Sequence, residues 1–538
     1  MIDAVSGALT RPDASMTVWI HGAGHAMAVV AEALRSTASQ NVPVFEIVCF
    51  VDDGVVADIT RVAESIQVGV RVGVRVVAVP ERPSDDAALL NTTLAESHGN
   101  YLLWLEASSS LAPEATTTIG AALERFEVDL LYADSVCVVS HGRSATNIRR
   151  PMFSPIRLRG QDYLGDLRVF RVDRMRRAGG FRAGLRGAHP YDLALRLAAD
   201  DATVLHIPEP LTGMHGLPGL PGLQGLAGPQ GLPGLQGLAG PVAVTNRRAV
   251  EDHLASLGLA GDVVPQPDGS LAIHYSRSTT PLVSIIIPTR GSRALIRGQE
   301  RTLVVDAVRG IRERGSYTNV EFVIVADDET PQSVIDGLIE VGGEQLRLVR
   351  WSAPFNFSAK MNRGAVHARG EYLLLLNDDI ELISPDWIEI MLGLAEQPDV
   401  GLVGSLLYFE DGSIQHGGHL YRDSWAGHIA WGWPPARDDL LGSMGVDREV
   451  SGVTAACAMV SADTYWSVGG FSTLYAGNYN DVDFALKVRA SGKSIVWTPH
   501  ARLYHFESKT RVATVAPSEI ETLRRHWGTR LLLDPYWP

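Results

Sequence analysis

The strongest constraint on this chain is an alternation of strand and helix patterns in which the strands are apolar throughout and end in acids. LVSIIIP (282–288) is uninterrupted hydrophobic sequence closed by proline, the pattern of a strand buried on both faces of a parallel sheet. An amphipathic helix is expected over about Gln299–Arg314, then a strand VEFVIVA (320–326) that runs into Asp327-Asp328. A helix near Pro331–Val341, a strand LRLVR (346–350) and a helix around Phe357–Arg369 follow. The run EYLLLL (371–376) then leads directly into Asn377-Asp378-Asp379. Such alternation predicts an α/β protein with a doubly wound, mostly parallel sheet, whose ligand site lies outside the carboxyl ends of its strands. Both acid pairs occupy that position.

A weaker copy of the same plan precedes it. FEIVCFVDDG (45–54) parallels VEFVIVADDE (320–329), and NYLLWLEASSSLAPEA (100–115) parallels EYLLLLNDDIELISPDW (371–387). AGGFRAGLRG (178–187) echoes VGGFSTLYAG (468–477), and YDLALRLAADD (191–201) parallels VDFALKVRASG (482–492). A repeat this long is one fold used twice, not a solenoid. Between the halves glycine falls at every third position from Gly216 to Val242, nine collagen-like triplets in a row. The tract holds only five prolines, and leucine fills most x positions. That favours a flexible surface insertion over a triple helix that would trimerise the chain. The expected organisation is a first domain over 16–215, the G-x-y insertion over 216–242, a linker over 243–280, a second domain over 281–515 and a tail over 516–538.

The 538 residues carry 47 basic and 61 acidic side chains, a formal −14, which argues against nucleic acid as a partner and against a polybasic membrane anchor. Cys49, Cys137 and Cys457 are too few and too scattered for a disulfide framework or a zinc cluster. They are expected to pack as small apolar residues in a reducing compartment. The opening MIDAVSGALTRPDAS shows no basic segment leading into an apolar one, and no stretch approaches the roughly 20 apolar residues of a membrane span. The expectation is a cytoplasmic protein whose dealings with any membrane are peripheral.

Each acid cluster has a chemical and a plainer reading. Adjacent carboxylates at Asp378 and Asp379 repel unless a cation or hydrogen bonds compensate them, and a hard divalent cation would share their oxygens with those of a phosphate. As turn residues they would instead cap the chain before a helix near Pro385. Asp481 and Asp483 open a helix, where acids cap free N–H groups, or where Asp481 would serve as a general base. His505, in the apolar run RLYHF (502–506) after the strand SIVWTP (494–499), is a metal ligand, a phosphate contact or a core histidine. Trp431, Trp433, Trp466 and Trp497 offer a sugar-stacking platform or serve as core and edge aromatics.

Taken in register, these stretches resemble family 2 glycosyltransferases of the GT-A fold, and most of all the rhamnosyltransferase-like members of cell-surface polysaccharide assembly. The likeness covers roughly residues 281–510. It rests on VSIIIPTR (283–290), EFVIVADD (321–328), PFNFSAKMNRGAVHARGEYLLLLNDDIELISPDW (354–387) and IQHGG (414–418). It continues through VTAACAMVSADTYWSVGGF (453–471) and NDVDFALKVRASGKSIVWTPHARLYHFES (480–508). The resemblance implies an inverting, metal-dependent transfer from a nucleotide-sugar donor, UDP- or dTDP-linked, to a glycan or lipid-linked acceptor, with Mn2+ or Mg2+ as cofactor. It puts Asp327 at the nucleobase with Asp328 beside it, Lys360 and Asn362 near the ribose and diphosphate, and Asp378 at the ribose or sugar. It makes Asp379 and His505 the metal ligands and Asp481 the base that takes the acceptor's proton, with Asp483 as the alternative base. Asn377 stands where many relatives have a first Asp.

The first half resembles the same fold with its chemistry dismantled. Glu106-Ala107-Ser108-Ser109 replaces the acidic cluster, and Pro190 stands where the second half offers Asp481. Asp52 and Asp53 remain, for nucleotide binding or as turn residues. The expectation is therefore two GT-A-like domains, the first non-catalytic and the second a glycosyltransferase. One rival is a sugar-nucleotide pyrophosphorylase, which needs a glycine-rich basic cradle after its first strand that PTRGSRALIRG does not supply. The other is a non-catalytic scaffold trimerised by the G-x-y tract, which leaves homo-oligomerisation open.

Overall fold

A computed structural model describes residues 14–66, 73–79, 86–139, 144–215, 241–506, 515 and 517–538. The collagen-like triplets lie outside the described residues except for the last two positions, Pro241 and Val242, which open a helix. Two compact units meet in sequence between Gly258 and Leu259.

In the second unit the sheet runs, in spatial order, Leu346–Trp351, Val320–Asp327, Val283–Thr289, Tyr372–Leu376, Cys457–Ser461, Val400–Tyr408, Ser494–His505 and Ile380–Leu382. The first four are parallel neighbours. Cys457–Ser461 then runs antiparallel to the strands on either side, and Val400–Tyr408 lies parallel to Ser494–His505. Helices Leu303–Arg314, Gln332–Gly342 and Phe357–His367 link the parallel strands, each burying an apolar stripe. Cover on both faces is why those strands read as continuous hydrophobic runs. The sequence thus yields an α/β fold with mixed, mostly parallel sheets.

The first unit has the same order: Val74–Val79, Glu46–Asp52, Met16–His21, Tyr101–Glu106, Leu167–Arg171, Leu130–Val139, Val204–His215 and Ser109–Leu111. Its parallel and antiparallel joins are also the same. Register makes the match residue by residue. Thr17 pairs with Glu46 as Ser284 pairs with Glu321, so Asp52 corresponds to Asp327. Met16 pairs with Tyr101 as Val283 pairs with Tyr372, so Ala107 and Ser108 correspond to Asp378 and Asp379. Ser109 pairs with Met214 as Ile380 pairs with His505.

Three sequence expectations change. Residues 299–302 do not begin the helix: Gln299–Thr302 pairs with Arg293–Ile296 as a hairpin, and the helix starts at Leu303. Its turn residues Arg297 and Gly298 both have positive φ, +47° and +79°, the geometry of a tight hairpin turn that helical periodicity conceals. The stretch 243–280 is not a linker. Helix Pro241–Ser256 belongs to the first unit and buries Ala249, Val250 and Leu254, whereas Gly261–Pro265 pairs with Leu271–Tyr275 in the second. SIVWTP is only the start of its strand, which continues past Pro499 to end at His505. A register shift between Ser405 and Leu406 absorbs the extra residues.

All three cysteines are buried and unpaired, as expected of small apolar side chains. Among the described residues no helix is long and apolar enough to cross a membrane.

Candidate active site

Three strand ends of the second unit converge. Thr289 closes Val283–Thr289, Asp327 closes Val320–Asp327, and Asn377-Asp378-Asp379 follows Tyr372–Leu376. Asn356 caps the helix Phe357–His367 by accepting from the Ala359 N–H at 2.9 Å, which sets its first turn. Lys360 in that turn is buried and donates from Nζ to Asp327 Oδ1 at 2.8 Å and to the Thr289 carbonyl at 3.0 Å. The Thr289 hydroxyl donates to Asp378 Oδ2 at 2.6 Å. Burial, and then the neighbouring Asp379 carboxylate, nevertheless push Asp378 up to about 6. Asp328 is exposed beyond the strand end.

Asp379 is held differently. Its Oδ1 is buried, accepts no hydrogen bond, and lies 3.2 Å from His505 Nε2. The cross-strand pairing of Ile380 with His505 brings the two together. Gln415 donates from Nε2 to the His505 carbonyl at 3.3 Å, which turns its Oε1 to accept from His505 Nδ1 at 2.6 Å. Asn377 donates from Nδ2 to His505 Nε2 at 3.0 Å, a use for the amide that stands in place of an acid. A ring whose Nδ1–H donates to a side-chain carbonyl keeps Nε2 unprotonated, the form in which imidazole ligates metal once the Asn377 amide gives way. An orphaned carboxylate oxygen beside that nitrogen fits a divalent cation.

The other side of the site is built on helix Asn480–Ala490, entered through the left-handed residue Tyr479 at φ 56°. Asp481 Oδ1 accepts from the Val482 N–H at 2.9 Å, and Oδ2 lies 3.7 Å from His419 Nε2. Burial acts to raise this carboxyl, but hydrogen bonding and charge from His419, the nearby His428 ring and the Thr454 side chain outweigh it and hold it at about 2. The segment Thr454–Cys457 connects the two sides, since the Ala456 carbonyl accepts from the Asn377 N–H at 3.0 Å. Three histidines stand beside Asp481. His416 ends Ile414–His416, while His419 and His428 pair across the hairpin of His419–Arg422 and Trp425–His428. Half-exposed Trp431 packs 5.3 Å from the His428 ring.

Two residues expected at the site, Asn362 as a donor contact and Asp483 as the alternative base, are held by the protein's own groups. Asn362 Oδ1 accepts from the Tyr465 hydroxyl at 2.7 Å and the Phe471 N–H at 2.9 Å, and Nδ2 donates to the Phe471 carbonyl at 2.9 Å. It pins the Gly469-Gly470-Phe471 turn. Asp483 Oδ1 accepts from Trp527 Nε1 at 2.9 Å, and its Oδ2 lies 3.6 Å from Lys487, whose ammonium donates to the Gly470 carbonyl. Residues two apart on a helix point in nearly opposite directions, so Asp481 and Asp483 do not share a face. Trp497 is fully buried beneath Arg448 and cannot stack on a sugar. Sequence reading did not single out Thr289, Gln415, His419 or His428. Gln415 and His416 lie in IQHGG, but only the hairpin register brings His428 back beside His419.

Residues 284–469 match the profile of the family "Glycosyl transferase family 2". The chain is 31% identical over 463 residues to "Uncharacterized protein y4gI" of Sinorhizobium fredii (strain NBRC 101917 / NGR234), covering 83% of this chain and 49% of that protein. It is 30% identical over 522 residues to "O-antigen biosynthesis protein RfbC" of Myxococcus xanthus, covering 96% of this chain and 39% of that protein. It therefore spans half or less of the length of these curated relatives. Among solved structures it is similar to GalNAc-T7 with UDP, GalNAc and Mn2+, at 13% identity and a TM-score of 0.39 over 49% of this chain and 51% of that one. Thr289, Asp327, Lys360, Asp378, Asp379 and the three histidines fall inside the matched residues, and Asp481 and His505 beyond them. The second unit of this chain thus contains a family 2 glycosyl transferase domain.

Proposed function

We propose that the second unit is an inverting, metal-dependent glycosyltransferase that moves a sugar from a UDP- or dTDP-sugar to a glycan or lipid-linked acceptor in cell-surface polysaccharide biosynthesis. The observation that carries this reading is a pair of unlike stations joined by Thr454–Cys457. On one side, buried and unpartnered Asp379 Oδ1 faces His505 Nε2; on the other, Asp481 is kept ionised. Asp327 and Asp328 meet the nucleobase, with Lys360 fixing Asp327, and Asp378 meets the ribose or sugar. Asp379 and His505 would hold Mn2+ or Mg2+, which when bound supplies positive charge against the departing diphosphate. Asp481 takes the proton of the acceptor hydroxyl as that oxygen bonds to the anomeric carbon and the bond to the diphosphate oxygen breaks. Attack from the face opposite the leaving group inverts the anomeric centre. Trp431 offers the acceptor an aromatic wall. The first unit is a non-catalytic support. The name of the Myxococcus relative supports the polysaccharide setting. The site of action is the cytoplasm, with peripheral access to a lipid-linked acceptor.

The test is thermal unfolding of the wild-type chain and Asp379→Ala with UDP-, dTDP- and GDP-sugars, each with Mn2+, Mg2+ or chelator. A ligand at about 100 times its Kd stabilises by about 2.7 kcal/mol. Stabilisation by one nucleotide class, dependent on metal and absent in the variant, is expected. No shift with any donor, or an equal shift in Asp379→Ala, sinks the reading.

A further inference from the structure

The three imidazoles beside Asp481 play no part in the transfer just described, yet their protons can be placed from their donors. The Thr454 backbone N–H donates to His416 Nε2 at 3.2 Å, so the His416 proton sits on Nδ1. That nitrogen lies 2.7 Å from His428 Nδ1, and His416 therefore donates to His428. A metal drawn to both Nδ1 atoms would have to strip His416 of its only N–H proton while a backbone donor still pointed at Nε2. The His416–His428 pair is a hydrogen-bonded couple rather than half of a metal cradle.

His419 is set separately. The carboxylate oxygen Asp481 Oδ2, which only accepts, lies 3.7 Å from Nε2 and favours the proton there, which leaves Nδ1 to accept from the Tyr421 hydroxyl 3.3 Å away. The histidine side chain is only 2% exposed, against 19% for Asp481, so the carboxylate is the outer member of the pair and the ring stands behind it. The backbone leaves room for this arrangement at one place. A Cβ at Gly452 would fall 2.6 Å from both His419 Nδ1 and the Tyr421 hydroxyl oxygen.

We propose that His419 is a positioning residue for Asp481, its Nε2–H directed at one carboxylate oxygen from 3.7 Å while the Val482 N–H binds the other, so that the anion is fixed in orientation toward the acceptor. The proposal rests on reading Asp481 as the base. Burial alone would favour a protonated, inert carboxyl, and the donors reverse that preference. The other groups acting on Asp481 are His428 from the hairpin and the Thr454 side chain. Tyr421, behind His419, in turn feels Arg489, Asp481 and Asp534.

The experiment is a double-mutant cycle on the full-length chain, read as the midpoint of thermal unfolding at pH 7. Asp481→Asn is expected to lower the midpoint in the wild-type background, because it removes an anion that its surroundings favour. In a His419→Leu background the same change leaves the midpoint unchanged or raises it, because the largest compensation for burial of the anion is then gone. On lowering the pH from about 4 toward 2 the wild-type effect of Asp481→Asn shrinks, whereas in the leucine background any gain already shrinks between about pH 7 and 4. His419→Gln, which keeps an N–H donor, preserves the wild-type sign. Gly452→Ala displaces the ring and behaves like His419→Leu with the histidine still present, so the test survives if His419→Leu does not fold. An equal effect of Asp481→Asn in every background overturns the proposal. So does one equivalent of zinc in the purified chain that is lost in His416→Ala. Full transfer by Asp481→Asn with the sign change intact overturns the base reading while leaving the contact standing.

Discussion

Asn91 in the first unit accepts from the Phe181 N–H at 2.8 Å and donates to the Phe181 carbonyl at 2.8 Å, and Asn362 in the second makes the same pair of bonds to Phe471. Asp192 likewise accepts from Arg196, which donates to the Gly180 carbonyl, as Asp483 pairs with Lys487 and Lys487 with Gly470. Side chains found in both units therefore serve the shared backbone. The differences gather at the strand ends. Leu89 takes the place of Lys360, Ala107 and Ser108 that of Asp378 and Asp379, Pro190 that of Asp481, and Met214 that of His505. The first unit also meets its own carboxylates there, although His189 Nδ1 stays buried without a hydrogen bond. Glu106 accepts from Trp104 Nε1 at 2.7 Å and lies 3.2 Å from His21 Nδ1, His189 lies 2.7 Å from Asp86, and Asp52 accepts from the Gly24 N–H at 2.7 Å. The second unit leaves Asp379 Oδ1 buried beside His505 Nε2 with no hydrogen bond to it. A strand-end carboxylate whose oxygens accept from its own protein has little call on a ligand; one that keeps a buried oxygen free of hydrogen bonds beside an imidazole nitrogen has more.

The largest effect that could break this comparison is on turnover. Asp481→Asn is expected to reduce transfer by about 10²- to 10⁴-fold, the range for loss of a general base, while metal-dependent nucleotide binding persists. Asp483→Asn, which alters a bond shared with the first unit, is expected to lower stability and leave the pH dependence of kcat unchanged. Equal losses of kcat in the two variants, with both folded, would dissolve the distinction between scaffold and chemistry. Next in size is the asparagine clamp. Asn91→Ala and Asn362→Ala each strand a backbone N–H and a backbone carbonyl, at about 1–3 kcal/mol per group, and each is expected to destabilise its own unit by a similar amount in urea. A cost in only one unit would mean that the clamp is not a common device.

Most of the fold was legible because buried parallel strands leave long apolar runs, and the duplication repeats them. The hairpin at 293–302 was not, because its residues continue a helical pattern and only the positive φ of Arg297 and Gly298 breaks it. Asp379 and His505 could be paired through family resemblance alone, since nothing in their spacing encodes the register of Ile380 with His505. The site residues the structure ties to the backbone, Asn362 and Asp483, are those whose first-unit counterparts, Asn91 and Asp192, were already visible. A polar residue retained where the rest of the chemistry has gone is better read as part of the backbone's support. The hairpin carrying His419 and His428 has no counterpart in the first unit among the described residues, so the duplication could not reveal it.

The smallest expected effect concerns the ion pair that fills the first unit's strand end. Burial opposes a charge on His21, but Glu106 overrides it and raises the histidine above its ordinary 6.5; burial likewise opposes the Glu106 carboxylate, and His21 draws it below its ordinary value. A histidine raised on folding contributes stability that is complete below the unfolded value and lost as pH rises through the folded one. The first unit should therefore weaken on going from pH 6 to pH 9, by no more than about 1.4 kcal/mol for each unit of the shift. The second unit has Pro288 and Asn377 at these positions and lacks the pair. Hydrogen exchange in the strands Met16–His21 and Val283–Thr289, corrected for its intrinsic pH dependence, would follow the units separately. The extra loss in the first strand is expected in the wild-type chain and not in Glu106→Gln. If Glu106→Gln leaves it unchanged, the His21–Glu106 pair is not what fills the space where the second unit keeps its chemistry.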